Sequence, residues 1–106
     1  MIQQETLAPI YARYQQQNPN EVWIDVRQPE EWAEGVIPGV KKVMLADLEK
    51  TLPTLTPDTT YVLVCRSGNR SNQAAALMQK HNFSSLVNFA GGMLSWYKAK
   101  YPLEKA

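Results

Sequence analysis

The sequence predicts an α/β domain in which a parallel sheet is packed between helices. Three observations lead there. Short, branched, apolar runs that read as buried strands stand at residues 22–26 (VWIDV), 61–64 (YVLV) and 86–89 (LVNF). Stretches with apolar residues at helical spacing lie between them. The two kinds alternate along the chain, which is the mark of βαβ units.

Residues 6–17 read as the first helix, with Leu7, Ile10, Tyr11 and Tyr14 on one stripe. Pro9 is tolerated there because it falls in the first turn, where its missing N–H costs nothing. Asn18, Pro19 and Asn20 form a turn. Residues 22–26 have the unbroken apolar character of a strand covered on both faces. Residues 29–34 read as a short helix, with Pro29 early and Gly35 just past the end. A turn at Ile37-Pro38-Gly39 leads to a short strand at 42–45 and a short helix at 47–52, before Pro53 and Pro57 break the chain. Residues 61–64 are the strongest strand. The helix at 71–80 offers Ala74, Ala75, Leu77 and Met78 for burial. After the strand at 86–89, Gly91-Gly92 makes a flexible turn into a closing helix at 93–100.

A length of 106 residues is that of one domain, taken as 1–106 with its core at about 18–104. An apolar content of 44% belongs to a packed chain, not a disordered one. Eleven basic and ten acidic residues give a net charge of +1, which offers a nucleic acid no electrostatic footprint. The start, MIQQETLAPI, lacks the basic-then-apolar order of a secretory signal, and no apolar run is long enough to span a membrane. The expectation is a soluble cytoplasmic protein with neither nucleic acid nor membrane as partner. The single cysteine cannot close an internal disulfide, and fits a reducing compartment or a working thiol.

That cysteine, Cys65, stands in YVLVCRSGNRS at residues 61–71. Free cysteines commonly serve as small buried hydrophobes. Cys65 instead comes after the apolar run, where ligands of parallel sheets bind, and two arginines follow. The thiolate is the reactive form, and nearby arginines and a helix N-terminus favour it. With the helix starting near Ser71, Cys65 lies under its positive end. Ser67, Gly68 and Asn69 suit a loop that turns successive N–H groups inward as an anion-binding nest. The plainer reading is an ordinary turn with Ser71 as helix cap, and both can hold at once. Arg66 and Arg70 offer forked donors for oxyanions; one is expected to face the substrate and the other to hold the loop or the anion. The cargo of such a thiol is a sulfane sulfur or a phosphoryl group. Cysteine phosphatases place five residues between Cys and Arg, whereas four separate Cys65 from Arg70. The smaller ring favours a single sulfur atom.

With these residues in place, the chain resembles the single-domain rhodanese family, the thiosulfate sulfurtransferases, over about 21–102. CRSGNRS at 65–71 resembles the family's active-site loop. IDVRQPEEWAEGVIPGV at 24–40 is similar to its Asp-x-Arg…Glu-aromatic…Gly-x-Ile-x-Gly segment, and FAGGMLSW at 89–96 to its Gly-Gly-x-x-x-Trp closing motif. The resemblance implies a rhodanese-like fold, with a parallel sheet of about five strands and helices on both faces. It implies a sulfurtransferase: Cys65 takes a sulfur from thiosulfate or another persulfide donor, and passes it to cyanide in vitro or to a thiol or protein in the cell. The backbone N–H groups of Arg66, Ser67, Gly68, Asn69, Arg70 and Ser71 would stabilise the persulfide, and Arg66 and Arg70 would draw in the anionic donor. No metal or organic cofactor is needed. One departure is Val36, where the family often has His; it is expected to pack under the sheet edge.

Asp25 and Arg27 end another strand and are expected to be supporting residues, Arg27 paired with Glu30 or Glu31 and Asp25 bound to loop N–H groups or Arg70. His81, distant from Cys65 in sequence, fits a helix end better than a general base. Trp23, Trp32 and Trp96 fit core or rim packing, with Trp96 able to approach the site through Gly91-Gly92. Lys98, Lys100 and Lys105 fit a solvated end. A sulfur-carrier or regulatory module acting through a protein partner is the alternative from another class. A phosphatase is disfavoured by the short loop, and an arsenate reductase by the absence of a second cysteine.

Overall fold

The computed structural model describes residues 1–105. Five strands, β1 (Ile2–Glu5), β2 (Glu21–Asp25), β3 (Lys41–Lys42), β4 (Thr60–Val64) and β5 (Leu86–Phe89), form one sheet in the order β1-β5-β4-β2-β3. Every pairing is parallel. The helices are α1 (Leu7–Gln16), α2 (Pro29–Trp32), α3 (Leu45–Thr51), α4 (Asn69–Lys80) and α5 (Gly92–Lys98), with one 3₁₀ turn at Leu52–Thr54.

Alternation along the central strand β4 divides the core. Tyr61, Leu63 and then Cys65 join Ile24, Leu48, Ala74, Ala75 and Met78 on the face covered by α3 and α4. Val62 and Val64 join Ile10, Val87, Phe89, Met93 and Trp96 on the face covered by α1 and α5. Successive side chains of a strand point to opposite faces, so a strand buried on both must be apolar throughout. Each fully buried aliphatic side chain contributes roughly 1.5–3 kcal/mol. The same period carries Cys65, one residue past β4, onto the α4 side.

The structure departs from expectation in several places, among them the helix expected at 29–34, which ends at Trp32. Ile2–Glu5 is a strand, and with α1 it carries the organised core N-terminal of residue 18. Its sequence, IQQE, lacks an apolar run because it is an edge strand with a single neighbour, β5. The strand expected at 42–45 is confined to Lys41–Lys42. The Val43 and Leu45 amides still bond to Asp25 O and Val26 O, each at 3.1 Å, but the chain turns into α3 at Leu45. Helix α4 begins at Asn69, with Gly68 as N-cap (φ 97°), so Ser71 does not cap it. The closing helix ends at Lys98, short of residue 100. Trp96 sits in the core with its indole N–H donated to Pro102 O at 2.8 Å. Val36 is buried and exchanges backbone hydrogen bonds with Glu104, at 2.9 and 2.8 Å.

Candidate active site

The site forms where β4 ends and α4 begins. Four residues separate Cys65 from Arg70, and a turn that tight needs the left-handed backbone that Gly68 adopts without strain. A Cβ at Gly68 would overlap the Ala90 carbonyl and lie 3.1 Å from the Ala90 Cα, so the loop packs directly on the chain leaving β5. Helix α5 closes the arrangement from the far side: the Met93 amide donates to Cys65 O at 2.8 Å and the Leu94 amide to Arg66 O at 3.1 Å.

Cys65 is as buried as a core residue, at 1% exposure, but its sulfur is not in apolar surroundings on every side. The Gly68 amide donates to Sγ at 3.1 Å, and Ser71 Oγ lies 3.2 Å from it. The amides of Arg66, Ser67, Asn69, Arg70 and Ser71 have no acceptor among the described residues, whereas that of Asn72 bonds to Gly68 O at 3.2 Å. Three of these five belong to the first turn of α4, whose N–H groups have no partner within the helix. They are donors at the positive end of a helix dipole, beside a thiol. A groove of about 230 Å³, lined by Gln4, Ser67, Gly68, Asn69, Asn72, Asn88 and Ala90, flanks the loop.

The two arginines of the loop differ in their surroundings. Arg66 is exposed and has no ion-pair partner among the described residues. Arg70 makes a two-pronged pair with Glu31 of α2, at 2.7 and 2.8 Å. Glu31 is itself held in place, because its Oε1 accepts the Gln28 amide at the start of α2. The hydrogen bonds from Arg70 push the Glu31 carboxyl down to about 2 against the opposing effect of burial. Arg70 is raised above the usual arginine value, first by its hydrogen bonds to Glu31.

The partners of Asp25 and Arg27 differ from those expected. Arg27 pairs with Asp25 itself and not with Glu30 or Glu31, and Asp25 meets neither Arg70 nor the loop amides. Both are buried, so each needs a partner at hand, and the two stand two residues apart at one strand end. Asp25 accepts Arg27 Nε and Nη2, the Arg27 amide and the Trp32 indole N–H. Arg27 also donates to Gly35 O at 3.1 Å and to Tyr97 Oη at 3.0 Å, and Tyr97 donates to the same carbonyl at 2.6 Å. Burial pulls the Arg27 pKa down, but the bond to Asp25 and its charge leave it raised. The cluster ties the end of β2 to α2, the Gly35 turn and α5, and so supports the platform that carries Glu31.

Sequence reasoning missed Asn88 and Gln4. Asn88 is the one polar residue of β5 and is buried. Its Oδ1 accepts the Ser71 hydroxyl proton, and its Nδ2 donates to Gln4 Oε1 at 2.7 Å and to Gly68 O at 3.2 Å. A polar residue at a position otherwise read as buried strand was the available signal.

The chain matches the family model described as "Rhodanese-like domain" over residues 8–99. It is 41% identical over 73 residues to the "Putative sulfurtransferase YtwF" of Bacillus subtilis, covering 69% of this chain and 70% of that protein. It is 30% identical over 100 residues to the "Thiosulfate sulfurtransferase GlpE" of Pseudomonas aeruginosa, covering 94% and 89%. Among solved structures, a rhodanese-related protein from Thermoplasma volcanium superimposes with a TM-score of 0.84 at 25% identity, covering 96% and 97% of the two chains.

Proposed function

Because this chain belongs to the family of rhodanese-like domains, we propose that it is a sulfurtransferase that carries sulfane sulfur as a Cys65 persulfide, with thiosulfate as a donor. The observation that carries this reading is the Gly68 amide on Cys65 Sγ, at the base of a loop whose other amides lack acceptors among the described residues. In the first half-reaction the Cys65 thiolate attacks the outer sulfur of thiosulfate, the S–S bond breaks, and sulfite leaves with the bonding electron pair. In the second, a thiolate or cyanide attacks the outer persulfide sulfur and the Cys65 thiolate is released. Dividing one transfer into two is the general advantage of covalent catalysis.

The amides from Arg66 to Ser71 stabilise the terminal sulfur as preorganised donors. Arg66, exposed at the mouth, draws in the donor anion, and Arg70, fixed by Glu31, holds the loop and adds positive charge. Asp25 and Arg27 act as supports without touching the sulfur. The acceptor is a thiol or a protein, and a lone working thiol fits the reducing cytoplasm. Among the described residues no helix is long and apolar enough to cross a membrane.

Intact-protein mass spectrometry tests the reading. Thiosulfate adds the mass of one sulfur atom, cyanide removes it as thiocyanate, and Cys65→Ser abolishes the gain. A wild-type protein that neither gains mass nor yields thiocyanate overturns it. Slow loading from thiosulfate together with fast loading from a protein persulfide would identify a sulfur carrier.

A further inference from the structure

Ser71 Oγ stands between two acceptors but owns one proton. Asn88 Oδ1 accepts that proton, since a carbonyl oxygen cannot donate. In this arrangement the contact between Ser71 Oγ and Cys65 Sγ, 3.2 Å, can only be a bond donated by the thiol. Once Cys65 loses its proton, Sγ has nothing to donate, and the Ser71 hydroxyl satisfies the sulfur only by turning its proton away from Asn88. The carboxamide of Asn88 cannot turn to follow, because its Nδ2 is held by Gln4 Oε1 and Gly68 O.

We infer that Asn88 is a positioning residue that competes with Cys65 for the Ser71 hydroxyl proton, and so sets how readily the thiol ionises. Asn88 touches no reacting atom. It acts through Ser71: with the Ser71 hydroxyl donated to Asn88 the site favours thiol, and with it donated to Sγ the site favours thiolate. Because the Asn88 acceptor is buried and fixed, its claim on the proton persists whatever occupies the loop mouth. The consequence for turnover rests on the reading of Cys65 as the sulfur-carrying nucleophile, but the competition itself does not.

The charged groups around the Cys65 loop are Arg66 within it, Arg70 at the start of α4 with its partner Glu31 on α2, and the Asp25–Arg27 pair at the end of β2. On α3, the other helix on this face, Asp47 is tied to Lys50 at the surface. β5 brings no ionisable side chain. From α5, Tyr97 is bound to Arg27 and to Gly35 O, and Lys98 is exposed. None of these is replaced in the Ser71 and Asn88 variants, so a difference between variants reports on the hydroxyl or on the Asn88 bond to Gly68 O, and the double variant separates the two.

The test follows thiolate absorbance at 240 nm against pH, with Cys65→Ser subtracted, in wild type, Asn88→Val, Ser71→Ala and the double variant. Removing the competing acceptor shifts the Asn88→Val profile to lower pH by about half to one pH unit, the size of one hydrogen bond. Ser71→Ala removes the donor to the thiolate and shifts the profile to higher pH. The double variant superimposes on Ser71→Ala, because the hydroxyl for which Asn88 competes is gone; a shift persisting there would assign the effect to the Asn88 Nδ2 bond on Gly68 O, whose amide meets Sγ, and overturn the inference. A purely structural Asn88 would leave the profile where it was. An unmoved or upward-shifted Asn88→Val profile, or additive shifts in the double variant, overturns the inference. Circular dichroism confirms folding, and Asn88→Leu, which keeps the branching at Cγ, replaces Asn88→Val if the latter does not fold. No sulfur donor is present, so this result stands apart from the thiosulfate-loading result.

Discussion

Gly92 is the position where a single methyl group tests how the active-site loop is held. Its backbone has a φ of +63°, which costs an alanine about 1–2 kcal/mol. Its missing Cβ also makes room for the loop. A Cβ there would overlap the Arg66 carbonyl and stand 2.7 Å from the Ser67 amide nitrogen, where ordinary contact begins at 3.4 Å. Both obstacles are backbone, so no rotamer change relieves them, and the loop must move by about 0.7 Å or more. Relief of such overpacking costs about 1–3 kcal/mol. Gly92→Ala is therefore expected to lose about 2–5 kcal/mol in urea denaturation, out of the 5–15 kcal/mol typical of a domain. Displacing a reacting group by about an ångström costs on the order of 100-fold in rate, so sulfur loading from thiosulfate should fall by about that factor under conditions where the variant is folded. The adjacent Gly91→Ala is the control: Gly91 has a helical φ of −77°, and its Cβ meets first the Ser95 hydroxyl, which can rotate away. Equal stability and equal loading in Gly92→Ala and wild type would refute the argument that this close backbone approach shapes the loop.

Other expectations follow from the ion pairs. Glu31 is depressed from 4.5 to about 2, so its pair with Arg70 stabilises the fold fully above about 4.5, and that stability is lost as pH falls through about 2. At 1.36 kcal/mol per pH unit the ceiling is about 3.4 kcal/mol, and partial exposure of both side chains reduces it to about 1–2 kcal/mol. Urea denaturation between pH 5 and pH 2 should show this loss in wild type and a shallower one in Glu31→Gln. Asp25→Ala leaves Arg27 buried without its counter-charge and should cost about 3–5 kcal/mol in the same assay; a loss below 1 kcal/mol would contradict the buried pair. Arg66→Ala should weaken loading from thiosulfate with little change in stability, visible as a raised KM at low salt that converges on wild type as salt screens the anion.

Much of this was legible in the residues. Alternation of apolar runs and helical stretches indicated a parallel α/β sheet, because a strand covered on both faces is apolar along nearly its whole length, as 61–64 is and as 86–89 is apart from Asn88. The position of Cys65 after such a run, with Gly68 and two arginines following, indicated a strand-end thiol under a helix. β1 escaped notice because an edge strand needs no such run: its order comes from backbone bonds to β5, which the side chains of IQQE do not announce.

The pairing of charges lay beyond the reach of the sequence. Arg27 was within reach of Glu30, Glu31 and Asp25, and Arg70 of any of several carboxylates; spacing along the chain does not rank them. Burial does, since the two charges that lose water at the end of β2 must neutralise each other, which leaves Glu31, half-buried on α2, to Arg70. The partnership of Ser71 with Asn88 likewise joins residues 17 apart through the packing of α4 on β5. Chemical type and local period are properties of the chain, and they singled out Cys65 and set the sheet face on which it lies. Which side chain satisfies which is settled only when folding removes water and leaves each polar group with the partners that the tertiary structure brings to it.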